Sequence, residues 1–254
     1  VPTASPAKAD ESDAAAFAKV DKSLISLGFF TPSSRRIKNQ KIKSIRFTRT
    51  DAGKKVEASV EFHPSPVYGL PITADQDKFL ALHHIITNLL RENGTITNPI
   101  RFTSADMLRL LDKKRQSGKN YQEIAEWLAC MTTTSIISKG VVYKAGEKRF
   151  AQDVFHVFER ATSVGKEMPD GKIADANYVW LSQWQLENIN EKYLLPIDVI
   201  TYRKVKNHIA KALIPLLQVW LFASQRARRY EKRYDELCEM LCLLYTSPSP
   251  RDRT

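Results

Sequence analysis

Tyr202 and Lys206 stand four residues apart, the spacing at which a lysine can assist a tyrosine hydroxyl. Two chemistries use that pair. One is attack of tyrosine on a DNA phosphodiester, as in rolling-circle nicking, which also requires a His-hydrophobic-His metal pair. The other is short-chain dehydrogenase chemistry, which requires a glycine-rich dinucleotide loop after a strand. The five histidines are His63, the adjacent His83 and His84, His156 and His208, so the metal pair is missing. Neither GxGxxG nor GxxxxGK[ST] occurs, and dinucleotide binding and ATP hydrolysis have no support. Cys130, Cys238 and Cys242 make no paired disulfide framework, nor a four-ligand zinc site with the scattered histidines. Glu187 and Glu191 fall at an ordinary i,i+4 interval and read as solvated. The expectation is a chain with no catalytic residues, no cofactor and no metal, its Tyr202 and Lys206 forming one helix face. Tyrosine-dependent nicking through Tyr202 is the alternative from a different class.

Charge offers a different chemistry. In 254 residues, 39 Lys and Arg outweigh 28 Asp and Glu, leaving +11 and an isoelectric point near 9.5. That balance favours a polyanionic partner, and 43% hydrophobic content is enough to bury a core. The cations cluster. Arg35, Arg36, Lys38, Lys41, Lys43, Arg46, Arg49, Lys54 and Lys55 form a run that reads either as a solvated strand face or as phosphate-facing. Lys113, Lys114 and Arg115, then Lys144, Lys148 and Arg149, are candidates for phosphate contact; ordinary surface charge is the other reading. Arg226, Arg228, Arg229, Lys232 and Arg233 make a further cluster, lying near a DNA backbone or forming a solvated linker. Trp180, Trp184 and Trp220 sit among leucines and read as packing residues.

The elements that must position these groups follow from periodicity. Residues 1–13 read as a disordered arm and Ala14–Leu27 as a short helix within an N-terminal segment 1–40. Alternation of Ile45, Phe47, Val56, Ala58, Val60 and Phe62 around Asp51-Ala-Gly53 predicts a hairpin. A helix over Ala74–Asn93 follows, boxed by Thr73 and Gln76 and stopped by Gly94, then one over Ser104–Leu111. A third helix begins at Asn120, with Asn120 as cap and Glu123 closing the box. Strand-forming runs Thr132–Tyr143 and Phe150–Thr162 flank a basic tip at 145–149. Three helices and a basic-tipped hairpin are the order of a winged helix-turn-helix. Lys119, Asn120 and Gln122 open the third helix, where a groove-docked helix meets base edges; Glu123 and Glu126 on the same face repel phosphate, and dimer packing is the alternative.

The order starts again downstream with helices over Asn207–Ser224, bent near Ala212 by Pro215, and Tyr230–Leu241. Asp106-Met-Leu-Arg-Leu-Leu111 reads like Asp235-Glu-Leu-Cys-Glu-Met240. The fold class expected is α+β, with tandem winged helix-turn-helix units at 41–187 and 188–241, the second truncated. The last residues, Cys242–Asp252, equal the translation of a transposase library adapter, so 242–254 is expected to be a non-native tail. No apolar stretch approaches the roughly 20 residues that cross a bilayer, and the chain is expected to be cytoplasmic.

Several stretches, in this order, resemble the plasmid replication initiator protein A family. They are Gly69-Leu-Pro-Ile-Thr-Ala-Asp-Gln-Asp77, Pro99-Ile-Arg-Phe-Thr103, Gly118-Lys-Asn-Tyr121, Thr132-Thr-Thr-Ser-Ile136, and Tyr193-Leu-Leu-Pro-Ile-Asp198 leading into Tyr202-Arg203. The resemblance spans about Gly69 to Leu241. It implies tandem winged-helix domains that bind repeated double-stranded DNA sites at a plasmid origin, help to open it and recruit the host replication initiator and helicase, with a homodimer on paired half-sites. It also implies a second recognition helix and wing beyond Leu241, where the adapter-like residues stand instead. A winged-helix transcriptional regulator is the alternative within the binding class.

Overall fold

Antiparallel pairing organises three small sheets, and the helices fill the space between them. The computed structural model describes residues 17–37, 40–51, 54–113, 117–224 and 229–241. Its elements are β1 (Phe17–Asp21), α1 (Lys22–Ser26), β2 (Lys43–Asp51), β3 (Lys54–His63), α2 (Thr73–Asn93), β4 (Ile100–Phe102), α3 (Ser104–Leu110) and α4 (Gly118–Thr133). They continue with β5 (Ser135–Lys144), β6 (Arg149–His156), β7 (Phe158–Thr162), β8 (Asn177–Leu181), α5 (Gln183–Asn190), β9 (Leu194–Asp198), α6 (Val199–Lys204), α7 (His208–Ser224) and α8 (Tyr234–Met240). The sheets have the orders β1-β9, β2-β3-β5-β6 and β4-β8-β7. The α+β class is as expected. The adapter-like tail, the first sixteen residues and the turn at 52–53 lie outside the described residues.

The alternating residues of the hairpin behave as their period demands. Ile45, Ala58, Val60 and Phe62 are buried, and Phe62 packs edge-on against Phe29 at 5.4 Å. Two of its neighbouring cations are structural, neither solvated nor phosphate-facing. Lys43 is buried and donates to the Gly28 carbonyl at 2.5 Å. Arg36 pairs with the buried Asp75 at 2.8 Å and donates to Cys130 Sγ at 3.3 Å. Asp75 also accepts from the Ile72 amide at 2.9 Å, so it caps α2 where Thr73 and Gln76 were expected to. Thr73 is already helical, which leaves Asp75 three residues after the boundary to reach back. Gly69, just upstream, has φ +71 and lies so close to Ile37 that a Cβ would meet that carbonyl at 2.4 Å.

The helix expected over Ala14–Leu27 is only α1, because residues 17–21 are taken by a sheet. β1 pairs in register with β9, Val20 against Leu195 and Ala18 against Ile197, and all four side chains are buried. A strand of the expected arm and one from the expected second unit thus share one sheet. The corner that follows is held by polar groups. Asp21 Oδ1 accepts from the Leu24 amide at 2.9 Å, and Oδ2 accepts from Asn188 Nδ2 at 2.6 Å. Asn188, fully buried, also donates to the Tyr143 carbonyl at 2.8 Å and accepts from the Ala145 amide at 2.7 Å. Ser23 Oγ accepts from the Tyr143 amide at 3.0 Å.

Pro215 does not divide α7, which runs unbroken from His208 to Ser224. A proline at 215 cannot donate to the carbonyl four residues back, which is Lys211. Gln76 Nε2 takes that role, donating to the Lys211 carbonyl at 3.1 Å, and so bonds α2 to α7. Ala212 and Leu216 are buried beside it.

Burial gives the fold opposing pH terms. It pushes the Asp21 carboxyl up to about 7, against the hydrogen bonds from Leu24 and Asn188. Stability from that group is fully present below its ordinary value of 3.8 and is lost as pH rises through about 7. Burial pulls His83, whose Nδ1 donates to the Lys19 carbonyl at 3.1 Å, down to about 4. Its contribution is present above 6.5 and is lost as pH falls through about 4. Both wild type and Asp21→Asn carry His83. The difference between their unfolding free energies should therefore move against the wild type as pH rises from about 5 to about 8, and a constant difference would refute the buried acid. Asn188→Ala should lose roughly 3 kcal/mol in urea unfolding, since it strips one buried carboxyl and two part-buried backbone groups of partners.

Candidate nucleic-acid interface

The side chains expected to meet base edges are carried by α4. Its first turn is capped by Ser117, whose hydroxyl accepts from the Asn120 amide at 3.4 Å; Asn120 is already inside the helix and is not the cap. Ile124, Trp127, Leu128 and Met131 make the buried stripe. The Trp127 ring meets Phe102 of β4 at 6.4 Å and Phe158 of β7 at 5.5 Å, which seats α4 on the three-stranded sheet. Lys119 and Gln122 are exposed, and Asn120 is half-buried. Gln122 Nε2 is engaged by Glu126 Oε1 at 2.9 Å. Glu123 lies in the field of the buried Lys78 ammonium, which burial pulls down and Asp75 and Glu123 oppose. One of the two carboxylates expected to repel phosphate thus partly serves the interior.

The basic-tipped hairpin after α4 joins a different sheet from the one on which α4 is seated. β5 and β6 extend the sheet of β2 and β3, and their tip is tied to α5 by Asn188. The strand lying between α2 and α3 is β4, and it pairs instead with β8 of the β7–β8 hairpin. That hairpin projects a long arm. Gly165 donates to the Ala174 carbonyl at 2.8 Å, Ala174 to Lys166 at 2.8 Å and Met168 to Lys172 at 2.8 Å, the chain reversing at Pro169-Asp170-Gly171. Lys166, Lys172 and Ile173 are exposed along it. At its base Arg101 pairs with Asp175 at 2.7 Å, and Tyr178 Oη donates to the same carboxylate at 2.5 Å; together they hold the Asp175 carboxyl down near 2. Arg160 lies 5.3 Å from the centre of the Trp180 ring. Sequence reasoning missed this arm because it ended the strand run at Thr162, although Pro-Asp-Gly is itself a turn signal.

Of the eight expected cations that are described, five face carboxylates of their own neighbourhood. Lys144 lies 3.3 Å from Glu147 and 3.5 Å from Asp153, and Arg149 pairs with Glu147. Arg229 pairs with Glu231, Lys232 with Glu236 at 2.5 Å, and Arg233 with Asp235 at 2.6 Å. Lys113, Lys119 and Lys148 are exposed with no ion pair to a described residue. Lys114, Arg115, Arg226 and Arg228 lie outside the described residues. Trp184 is core, 5.0 Å from Phe155, and Trp220 packs partly buried against the core while stacking on Tyr230 at 5.1 Å, both as expected; Trp180 is half-buried.

Tyr202 and Lys206 do not share a helix face, because α6 ends at Lys204. The Tyr202 ring is buried, its hydroxyl donates to Asp77 Oδ1 at 2.7 Å, and burial beside that carboxylate raises its pKa well above the ordinary value. In this arrangement the phenol is a structural donor, the reverse of an activated nucleophile. Among the described residues there is no cluster of three or more metal-ligating side chains, and no helix long and apolar enough to cross a membrane.

These elements define a mixed α+β protein whose antiparallel sheets present a helix and a neighbouring hairpin arm, each with exposed lysines. The profile of the family Replication initiator protein A matches residues 19–219, from β1 into α7, and the chain belongs to that family of replication initiators. Similar solved structures are two crystal structures of domains 2 and 3 of RctB. A selenomethionine derivative has TM-score 0.48 at 14% identity, covering 88% of this chain and 84% of that one. The other has TM-score 0.43 at 16% identity, covering 83% and 70%. No curated protein matches the sequence significantly.

Tyr202→Phe should retain the fold and lose about 2 kcal/mol in denaturant unfolding, the worth of a buried hydrogen bond to a carboxylate. An unchanged midpoint would deny the Tyr202–Asp77 bond a structural role.

Proposed function

We propose that this chain initiates plasmid replication by binding repeated duplex sites at an origin through a winged helix-turn-helix built from α2, β4, α3, α4 and the β7–β8 hairpin. The observation that carries the reading is the sheet β4-β8-β7 with α4 seated on it through Trp127. A strand between the first two helices joined to a hairpin after the third is the arrangement in which the third helix enters a groove and the hairpin flanks it. In this reading Lys119, Asn120 and Gln122 approach base edges, and Lys166 and Lys172 on the arm approach the backbone, replacing Lys144, Lys148 and Arg149 as the wing cations. The net charge of +11 supports a polyanionic partner.

A second unit of the same kind is supported by the repeated hexamer. Both copies fall in seven-residue helices, α3 and α8, each following a long helix, α2 and α7. The protein acts in the cytoplasm as a binding and distorting factor without covalent chemistry, hands the opened origin to the host initiator and helicase, and pairs as a homodimer on paired half-sites.

The test is duplex binding across a salt series, comparing repeats of the cognate origin with scrambled duplex. Wild type should prefer the repeats. Lys166→Gln and Lys172→Gln should each flatten the slope of log affinity against log salt by about 0.9 on both duplexes. Gln122→Ala should narrow the preference by a factor corresponding to about 1–3 kcal/mol with little change of slope. Equal affinity for the two duplexes would refute sequence-specific initiation by this chain.

A further inference from the structure

A hollow of about 310 Å³ lies between α2, the α3–α4 turn and the segment following β9. Its floor is electrically settled: Asp77 accepts from Lys211 Nζ at 2.8 and 3.0 Å and from the Tyr202 hydroxyl at 2.7 Å. Its rim is not. Lys113 enters from the turn, and Arg203 and Lys206 from the other side, facing the single further carboxylate Asp112. None of these three cations has an ion pair with a described residue, unlike Lys144, Arg149, Arg229, Lys232 and Arg233. Arg203 is half-buried, and desolvation lowers its pKa despite the more distant Asp112 and Asp77. A partly desolvated guanidinium with no hydrogen bond or ion pair to a described residue offers the planar fork of donors that suits phosphate oxygens.

Position links the hollow to the rest of the interface. Asp112, at φ +53, reverses the chain so that the Lys113 amide bonds the Leu108 carbonyl at 2.9 Å. Lys113 therefore stands on the turn that leads into the exposed start of α4. We propose that this hollow seats a backbone phosphodiester of duplex DNA, held by Arg203 with Lys113 and Lys206, so that the segment after β9 grips the same duplex as α4. The inference rests on the duplex-binding reading above. It assigns a binding role to Arg203 and Lys206, which the family match does not.

The experiment measures duplex affinity of the full chain over a salt series for wild type, Arg203→Gln, Arg203→Lys, Lys206→Gln and the control Lys139→Gln, an exposed lysine of β5 that lies 3.9 Å from Glu61. Thermal melts verify folding. Arg203→Gln and Lys206→Gln should each flatten the salt slope by about 0.9, shrinking the affinity ratio between about 50 and about 200 mM salt by about 3.5-fold. Arg203→Lys should keep most of the slope, and Lys139→Gln all of it. If wild type binds duplex and the Arg203 and Lys206 variants keep its slope, the phosphate seat is wrong while the duplex reading stands. If wild type binds no duplex, that reading falls and the seat with it. Inorganic phosphate and ATP are titrated in parallel. Tight binding of either, lost in Arg203→Gln with the duplex slope unchanged, would assign the hollow to a free phosphate ligand and overturn the proposal.

Discussion

The Asn188 side chain is the constraint on which the most separate parts of this chain converge. One fully buried amide supplies donors to the buried Asp21 and the Tyr143 carbonyl and an acceptor to the Ala145 amide, joining the β1–α1 corner, the β5–β6 tip and α5. Asp21 in turn caps α1, and β1 leads from it into the pairing with β9. A buried polar network of this kind is stabilising only when every member is satisfied, so it specifies one arrangement of its elements more sharply than apolar packing does. It also bonds the base of the β5–β6 tip inward, to α5.

A second polar junction orders the region that faces outward. Asp75 holds the start of α2 and, through Arg36, the segment before β2; one residue on, Gln76 reaches the carbonyl that Pro215 leaves unpaired in α7. Asp77 completes the row by binding Tyr202 and Lys211. Three adjacent positions at the start of α2 therefore tie it to the chain before it and to the α6–α7 region after it. Much of what reads in the sequence as chemistry, a tyrosine with a lysine, buried cations and a proline in a helix, is spent on this junction.

Surface charge is distributed by the same logic. Cations beside a carboxylate in sequence, such as Arg149 near Glu147 or Arg233 near Asp235, form local pairs of small net worth and are weakened as phosphate ligands. Among the described residues, Lys119 at the start of α4, Lys166 on the β7–β8 arm, Lys148 at the β5–β6 tip and the cations around the hollow below Lys113 have no ion pair, whereas Lys172 on the arm pairs with Asp170 at 3.2 Å. Net charge locates the chemistry of the partner, whereas local pairing decides which cations remain to meet it.

The helices α2, α3 and α4 and the β2–β3 hairpin were legible in the sequence because each announces itself by its own period: Phe79, Leu82, Ile86 and Leu90 by turns of a helix, Ile45 to Phe62 by alternation. So were the charge, the α+β class and the family resemblance. Several residues of the resembling stretches turn out to be backbone devices: Gly69 at its positive φ against Ile37, Thr103 capping α3 and Asp198 capping α6. What the tertiary structure alone decided are the pairings between distant segments. That β1 is a strand depends on β9, 173 to 181 positions away in register. That the β7–β8 hairpin shares a sheet with the strand before α3 depends on β4 pairing with β8, and that the Tyr202 hydroxyl is a buried donor depends on Asp77. Local periodicity encodes which face of an element is apolar; it does not encode which partner buries that face, because the choice is made by the packing of the whole chain.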